Sequence, residues 1–161
     1  MDIGSKSKYP SNALSNFAPH PFVFDGVEIA SMEGWLQSLK FKNPDMQRHV
    51  CTLVGITAKR RGAKKNWKTT QTLWWKGKPY RRGGHEYQVL LERAYSALAQ
   101  NSKFRKALLA SGDARLTHSI GRTNPSETIL TRAEFCGILT RLRAQMKMEK
   151  NRASVADKVA V

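Results

Sequence analysis

The sequence predicts a mainly α fold: a single compact helical domain with one short N-terminal β-hairpin. Two patterns carry this expectation. Apolar residues recur at helical spacing, most clearly over 86–100 and 131–146, and strand-like residues flank a hairpin dipeptide near the start. A third observation sets the scale, since 161 residues make one domain able to bury a sizeable core without cross-links. No internal repeat is visible.

The elements follow in order. Residues 1–11 are polar, carry lysine and serine, and are expected as a flexible leader; the domain itself spans 12–147. Residues 19–30 read as a short strand pair turning at Asp25-Gly26. Ser31 is a fitting N-cap for a helix running to about Lys42. Asn43-Pro44 then restarts the chain, with Asn as cap and Pro in the first helical position, before the stripe Val50, Cys51 and Val54. A third short helix is expected over about 57–61, stopped by Gly62. Residues 66–76 read as helix or strand, periodicity not deciding, and 76–84 as a basic loop. Tyr87, Leu90, Leu91, Ala94 and Leu98 define a helix over about 86–100, and a shorter one follows over 103–110. Thr131-Arg132-Ala133-Glu134 fits a capping box, and Phe135, Ile138, Leu139, Leu142 and Met146 form the stripe of the last helix. Past Lys147 the apolar pattern ends, so 148–161 is expected as a flexible tail.

Charge is the second clue. Lys+Arg number 28 against 12 Asp+Glu, a formal net charge of +16. Between Asp45 and Glu86 there is no acidic residue. That gap holds Lys59, Arg60, Arg61, Lys64, Lys65, Lys68, Arg81 and Arg82, with Trp67, Trp74, Trp75 and Tyr80 among them. Cations neutralise phosphates and release counterions, and aromatic faces stack on bases, so these basic residues are expected to bind nucleic acid. The plain alternative is a solvated basic face with the tryptophans in the core.

Other classes are disfavoured. Cys51 and Cys136 lie in apolar helical patterns and read as buried free thiols of a reducing compartment. No apolar run approaches about 18 residues, so no membrane span is expected. The polar N-terminus lacks a signal-peptide core, and a cytoplasmic location is expected. Histidines 20, 49, 85 and 118 have no metal-ligand spacing, and Gly83-Gly84 fits neither a P-loop nor a dinucleotide fingerprint. Neither metal nor cofactor is expected.

The most informative stretch is Leu14-Ser15-Asn16-Phe17 through Phe22-Val23-Phe24-Asp25-Gly26, followed by Glu33-Gly34-Trp35-Leu36-Gln37-Ser38-Leu39-Lys40-Phe41. At about 100° per residue, a helix returns Glu33, Gln37 and Lys40 to one face and Trp35, Leu36 and Leu39 to roughly the opposite one. Such a helix points acid–base chemistry into a pocket, although a Glu and a Lys at this spacing are ordinarily a solvated face. The SNF tripeptide, the Pro-Phe and Asp-Gly strand and turn, and the helix E-x-(aromatic)-x-Q-x-x-K-F resemble the signature of the NADAR superfamily, the YbiA-like N-glycosidases. The resemblance continues more weakly through Lys64-Lys65-Asn66-Trp67, Lys103-Phe104, Leu108 to Leu116, and Leu142-Arg143, covering about 12–146.

The resemblance implies a compact helical fold and cleavage of an N-glycosidic bond to ribose or ADP-ribose. It places Glu33 and Lys40 at the family's catalytic positions. Cleaving a ribosyl C1–N bond passes through an oxocarbenium-like state, which needs a negative group, a proton donor, and a nucleophile or positioned water. Glu33 fits as the negative charge or as activator of water. Lys40 fits as an acid or, when neutral, as an amine nucleophile giving a Schiff base on ring-opened ribose. Gln37 matches the family's glutamine, for ribose hydroxyls or phosphate. Asn16 and Phe17 match the SNF loop as substrate contacts, and Trp67 walls the site or packs in the core. Before the last helix the family's acidic D-x-x-W-G type motif gives way to Thr117-His118-Ser119-Ile120-Gly121-Arg122-Thr123-Asn124-Pro125. Here His118, Arg122 and Asn124 are the substrate-binding candidates, and a different or larger substrate is implied.

The function expected is a hydrolase, an N-glycosidase removing ADP-ribose from a nucleic-acid base such as guanine in DNA, so reversing ADP-ribosylation. One alternative is an N-glycosidase of phosphoribosyl, riboflavin-pathway or NAD-related metabolites, which leaves the cationic stretch unexplained. The other is a non-catalytic nucleic-acid-binding protein, against which the intact Glu33, Gln37 and Lys40 count.

Overall fold

Asp25 (φ 48°) and Gly26 (φ 78°) both adopt the left-handed backbone of a two-residue type I′ turn, and they join β1 (Phe22–Phe24) to β2 (Val27–Ile29) with Phe24 opposite Val27. The computed structural model describes residues 1–160. It contains a second hairpin of the same kind. Lys76 (φ 49°) and Gly77 (φ 83°) turn β3 (Thr72–Trp75) into β4 (Lys78–Arg81), with Trp75 opposite Lys78. The basic loop expected over 76–84 is therefore half strand. Lysine carries no turn signal of its own, so only Gly77 marked the reversal.

The rest of the fold is helical, as expected. The helix α2 (Met32–Ser38) lies at the centre with every residue buried, and the Ser31 side chain caps it by accepting from the Gly34 N–H. On its apolar side Trp35 meets Phe24 and Trp75, with ring centroids 5.6–5.9 Å apart among the three. Burying rings of this size contributes roughly 1.5–3 kcal/mol each. The helix ends at Ser38, earlier than the expected Lys42. Past it, Lys40 N–H and Phe41 N–H turn back three residues, to Gln37 and Ser38. The Gln47 amide bonds the carbonyls of Ser38, Phe41 and Trp74 at 3.0, 3.2 and 2.8 Å. One buried side chain thus closes α2 and ties it to β3.

Two glycines let neighbouring helices press on α2. A Cβ on Gly34 would meet the Leu53 carbonyl oxygen at 2.5 Å, so only glycine lets α2 approach the end of α3 (Pro44–Val50). The helix α4 (Gly55–Ala63) does not stop at Gly62 but runs through it, because that position also needs a bare Cα, here against Gln37. α3 begins as the sequence predicts, with Asn43 accepting from Met46 N–H at 3.0 Å and Pro44 in the first turn.

The short helix α1 (Ser11–Leu14) precedes the hairpins, while α5 (His85–Leu98) and α6 (Ser102–Ala110) complete the core. α7 (Arg132–Val159) starts at the expected capping box, Thr131 and Glu134 bonding each other's backbone at 2.7 and 3.1 Å. It continues past Lys147 to Val159 as an exposed helix, so the expected boundary marks where burial ends rather than where the helix ends. The leader expected as frayed over 1–11 is held in place. Ile3 is 1% exposed, its N–H donates to Thr117 O at 2.8 Å, and Thr117 N–H returns to Met1 O at 3.0 Å. No helix among the described residues is long and apolar enough to cross a membrane.

Candidate active site

Glu33 sits in the first turn of α2, 8% exposed, with its N–H donating to the Asn16 carbonyl at 3.0 Å. That bond ties the 15–17 loop to the helix. The Gln37 amide, one turn on, donates to Glu33 Oε1 at 2.9 Å. Burial raises the Glu33 pKa, while the Gln37 bond and the charges of Lys59, Lys40 and His118 draw it partly back. Asn16 is fixed in turn by Tyr95, whose hydroxyl donates to Asn16 Oδ1 at 2.7 Å. Burial pushes the Tyr95 phenol well above its ordinary value, so it stays a donor.

Asn16, Glu33 and Gln37 line a cavity of about 300 Å³, walled as well by Phe17, Lys59, His118, Arg122, Phe135 and the 128–131 segment. The Lys59 ammonium lies 5.9 Å from the Phe17 ring centre, a cation–π contact. A second hollow of about 450 Å³ shares Gln37, Lys59, Arg122, Thr128 and Ile129 with the first. The two are lobes of one groove with Gln37 at the junction.

Lys40 lines the second lobe and not the first, with its Nζ donating to Gly62 O at 3.3 Å. Lying past the end of α2, Lys40 is held by the Gly62 carbonyl, although its charge and that of Glu33 still act on each other. Burial lowers the Lys40 pKa; Glu33 opposes this and Lys68 adds to it. Lys64, Lys65, Lys68 and the buried Trp67 line the same lobe, Lys68 being paired with Glu127 at 2.9 Å.

The other sequence candidates divide. Lys59, named with the nucleic-acid-binding residues, bridges both lobes. Arg60 and Arg81 are exposed, and Arg61 lies over the Phe41 ring at 5.1 Å. Arg82 is a correction. It is 2% exposed, bonds Glu134 Oε1 at 2.6 Å and Thr128 O at 2.8 Å, and presents no surface to a nucleic acid. The charge run could not distinguish it from its neighbours, because the in–out alternation of β4 continues one residue past Arg81 and turns Arg82 inward. Asn124 lines neither lobe; its Oδ1 accepts from Ser126 within its own exposed turn. Sequence reading missed Tyr95 as the support of Asn16, although a tyrosine on the buried stripe of α5 needs a hydroxyl partner. It also missed the 128–131 wall, which carries no motif. Among the described residues no His/Cys/Asp/Glu group is arranged to hold a metal.

Comparison with known proteins places this chain among relatives. The family model described as bacteriophage protein GP30.3 matches residues 8–144. An uncharacterized 17.1 kDa protein of the Gp30–rIII intergenic region of Enterobacteria phage T4 is 41% identical over 148 residues, 89% of this chain and 96% of its own. The NMR structure of the E. coli protein YbiA superposes with a TM-score of 0.62 at 20% identity, covering 93% of this chain and 86% of that one. The last likeness bears out the expected fold.

Proposed function

The chain belongs to the bacteriophage GP30.3 family and carries the NADAR-type fold of YbiA, and from this premise we propose that it is an N-glycosidase that hydrolyses a ribosyl C1–N bond and removes ADP-ribose from a nucleic-acid base. The observation that carries the proposal is the two-lobed groove. One lobe holds a buried carboxylate, Glu33, kept in one orientation by Gln37, and the other is lined by Lys40, Lys59, Lys64, Lys65 and Lys68.

That asymmetry suits a substrate with a sugar–base bond at one end and phosphates at the other. As C1–N opens, positive charge develops on the ribose, and Glu33 stabilises it or takes a proton from the attacking water. Gln37, reaching both lobes, has the amide N–H that it does not give to Glu33 left to donate to a ribose hydroxyl. Phosphates draw binding energy from the exposed cations of the lysine lobe, which neutralise them and release counterions. Burial disfavours the ammonium form of Lys40 and so favours the neutral amine, which attack on a ribose opened at the Gln37 junction of the two lobes would require. Beyond the lobes, Arg60, Arg61 and Arg81 extend the cationic surface along which a nucleic-acid strand would lie.

The test is an oligonucleotide carrying ADP-ribose on guanine, incubated with the protein and with Glu33→Ala and Lys40→Ala variants, products resolved by mass. Release of ADP-ribose by the wild type and its loss in both variants is expected. Borohydride added during turnover should fix a ribosyl adduct on Lys40 if the amine attacks. Tight binding without release sinks this substrate and moves the assay to phosphoribosyl metabolites.

A further inference from the structure

We propose that His118 is a catalytic residue of this site, the donor of the proton taken by the leaving base nitrogen, held in the Nδ1–H tautomer by the Ile3 carbonyl. The inference rests on the glycosidase reading and deepens it. It starts from which groups share a lobe. Glu33 and His118 line the same cavity of about 300 Å³, whereas Lys40 opens into the other lobe. A proton donor for a bond broken beside Glu33 is therefore sought in the first lobe. The other basic side chains there are Lys59 and Arg122. A guanidinium does not give up its proton, and the Lys59 ammonium rests on the Phe17 ring. Histidine is the side chain suited to exchanging a proton near neutrality.

The backbone sets its tautomer. His118 Nδ1 lies 2.8 Å from the Ile3 carbonyl oxygen, which only accepts, so Nδ1 carries a hydrogen in the neutral and the charged ring alike. The exchangeable proton is then that of Nε2. Ring orientation is fixed from the other side by Phe135, an edge contact with centroids 5.1 Å apart, and by Gly121, where a Cβ would fall 2.6 Å from Cδ2 of the imidazole. The Ile3 carbonyl is itself held still. Ile3 is in the core, and the Asp2 carboxylate accepts from Ser119 N–H, Ser119 Oγ and Thr117 Oγ1 at 2.8, 2.6 and 3.1 Å. The leader thus clasps the loop that carries His118, and acts as a positioning element of the site.

The C1–N bond breaks with its electron pair remaining on the base nitrogen, which takes the Nε2 proton. The oxygen of water bonds to C1, and the proton it loses passes to Glu33. Glu33 then returns that proton to His118 through solvent, so one water is consumed and both residues are restored.

The experiment compares two substrates of one ribosyl group: ADP-ribose on guanine in an oligonucleotide, whose leaving nitrogen needs a proton, and ADP-ribose on 4-nitrophenol, which departs as the anion. The variant is His118→Asn, whose amide can still donate to Ile3 O while lacking Nε2. Loss of about 10²–10⁴-fold on the guanine substrate, with the nitrophenyl substrate spared, is expected of a general acid. Equal loss on both, or no loss, overturns the assignment and leaves the glycosidase reading intact; a wild type inactive on both removes that reading, and this one with it. Imidazole ¹⁵N NMR of the wild type gives a readout independent of turnover. A protonated Nδ1 and bare Nε2 in the neutral ring are expected, and the opposite tautomer overturns the proposal.

Discussion

The amide nitrogen of Gln37 donates to the Glu33 carboxylate at 2.9 Å, while the amide oxygen on the same carbon lies buried against Gly62 without a partner among the described residues. A Cβ at position 62 would fall 1.9 Å from that oxygen and 3.0 Å from Gln37 Cβ. The orientation of the carboxylate thus depends on a missing methyl group on another helix. Gly62→Ala should cost about 1–3 kcal/mol in denaturant unfolding, the usual penalty of overpacking, and should reduce turnover by displacing Gln37 from Glu33. Adding Gln37→Ala should restore part of the stability but none of the turnover. Strictly additive losses would show that the two positions do not press on each other.

Glu33 is held in a place that disfavours its charge. Its folded pKa is raised above 4.5 by burial, so the stability it contributes is whole below that value and is lost as pH rises through the raised one. Glu33→Gln keeps an acceptor for Gln37 and removes the charge. The variant should gain about 0.5–2 kcal/mol at neutral pH, the gain fading in acid, while losing activity. Thermal melts of both proteins across the acid-to-neutral range measure this; a pH-independent difference argues against it.

Arg82 and Glu134 form a buried pair that anchors the start of α7. Burial alone would raise the Glu134 pKa, but hydrogen bonds from Arg82, the Thr131 N–H and Gln88 bring it below 4.5. The pair therefore stabilises above that value, and its contribution is lost as pH falls through the lower folded one. Arg82→Met leaves the carboxylate without its cation and should cost about 3–5 kcal/mol. Nucleic-acid affinity of the folded variant should be unchanged, which a binding titration at low temperature checks.

Lys64 and Lys65 line the second lobe, so reversing their charge has a different signature. The double variant Lys64→Glu, Lys65→Glu should leave the melting temperature nearly as it was. It should flatten the dependence of log affinity on log salt for DNA, by about 0.7–0.9 for each phosphate that no longer meets a lysine. An unchanged slope would place the strand elsewhere.

Local chemistry was legible in the sequence because it acts over a few residues. Asp25-Gly26 announces its turn through the backbone both residues tolerate, and Thr131 and Glu134 announce α7 by bonding each other's main chain. The helical stripes of α5 and α7 follow from periodicity alone. Glu33 and Gln37 share a face for the same reason, and their bond is one turn long.

Lys40 shows where that logic ends. Periodicity places it with Glu33, but Gln47, from the next helix, takes up the carbonyls at the end of α2, and Lys40 turns into the other lobe. Arg82 reads as one more surface cation until Glu134, 52 positions away, takes it inside. His118 lies 115 positions from the carbonyl that fixes its ring. By itself, then, the sequence determined the net charge through composition. Through neighbours within a turn it determined the first hairpin, the apolar stripes of α5 and α7, the caps of α2, α3 and α7 and the shared face of Glu33 and Gln37. The tertiary structure decided which lobe each side chain enters and which cations remain at the surface, because those outcomes depend on partners that only packing brings together.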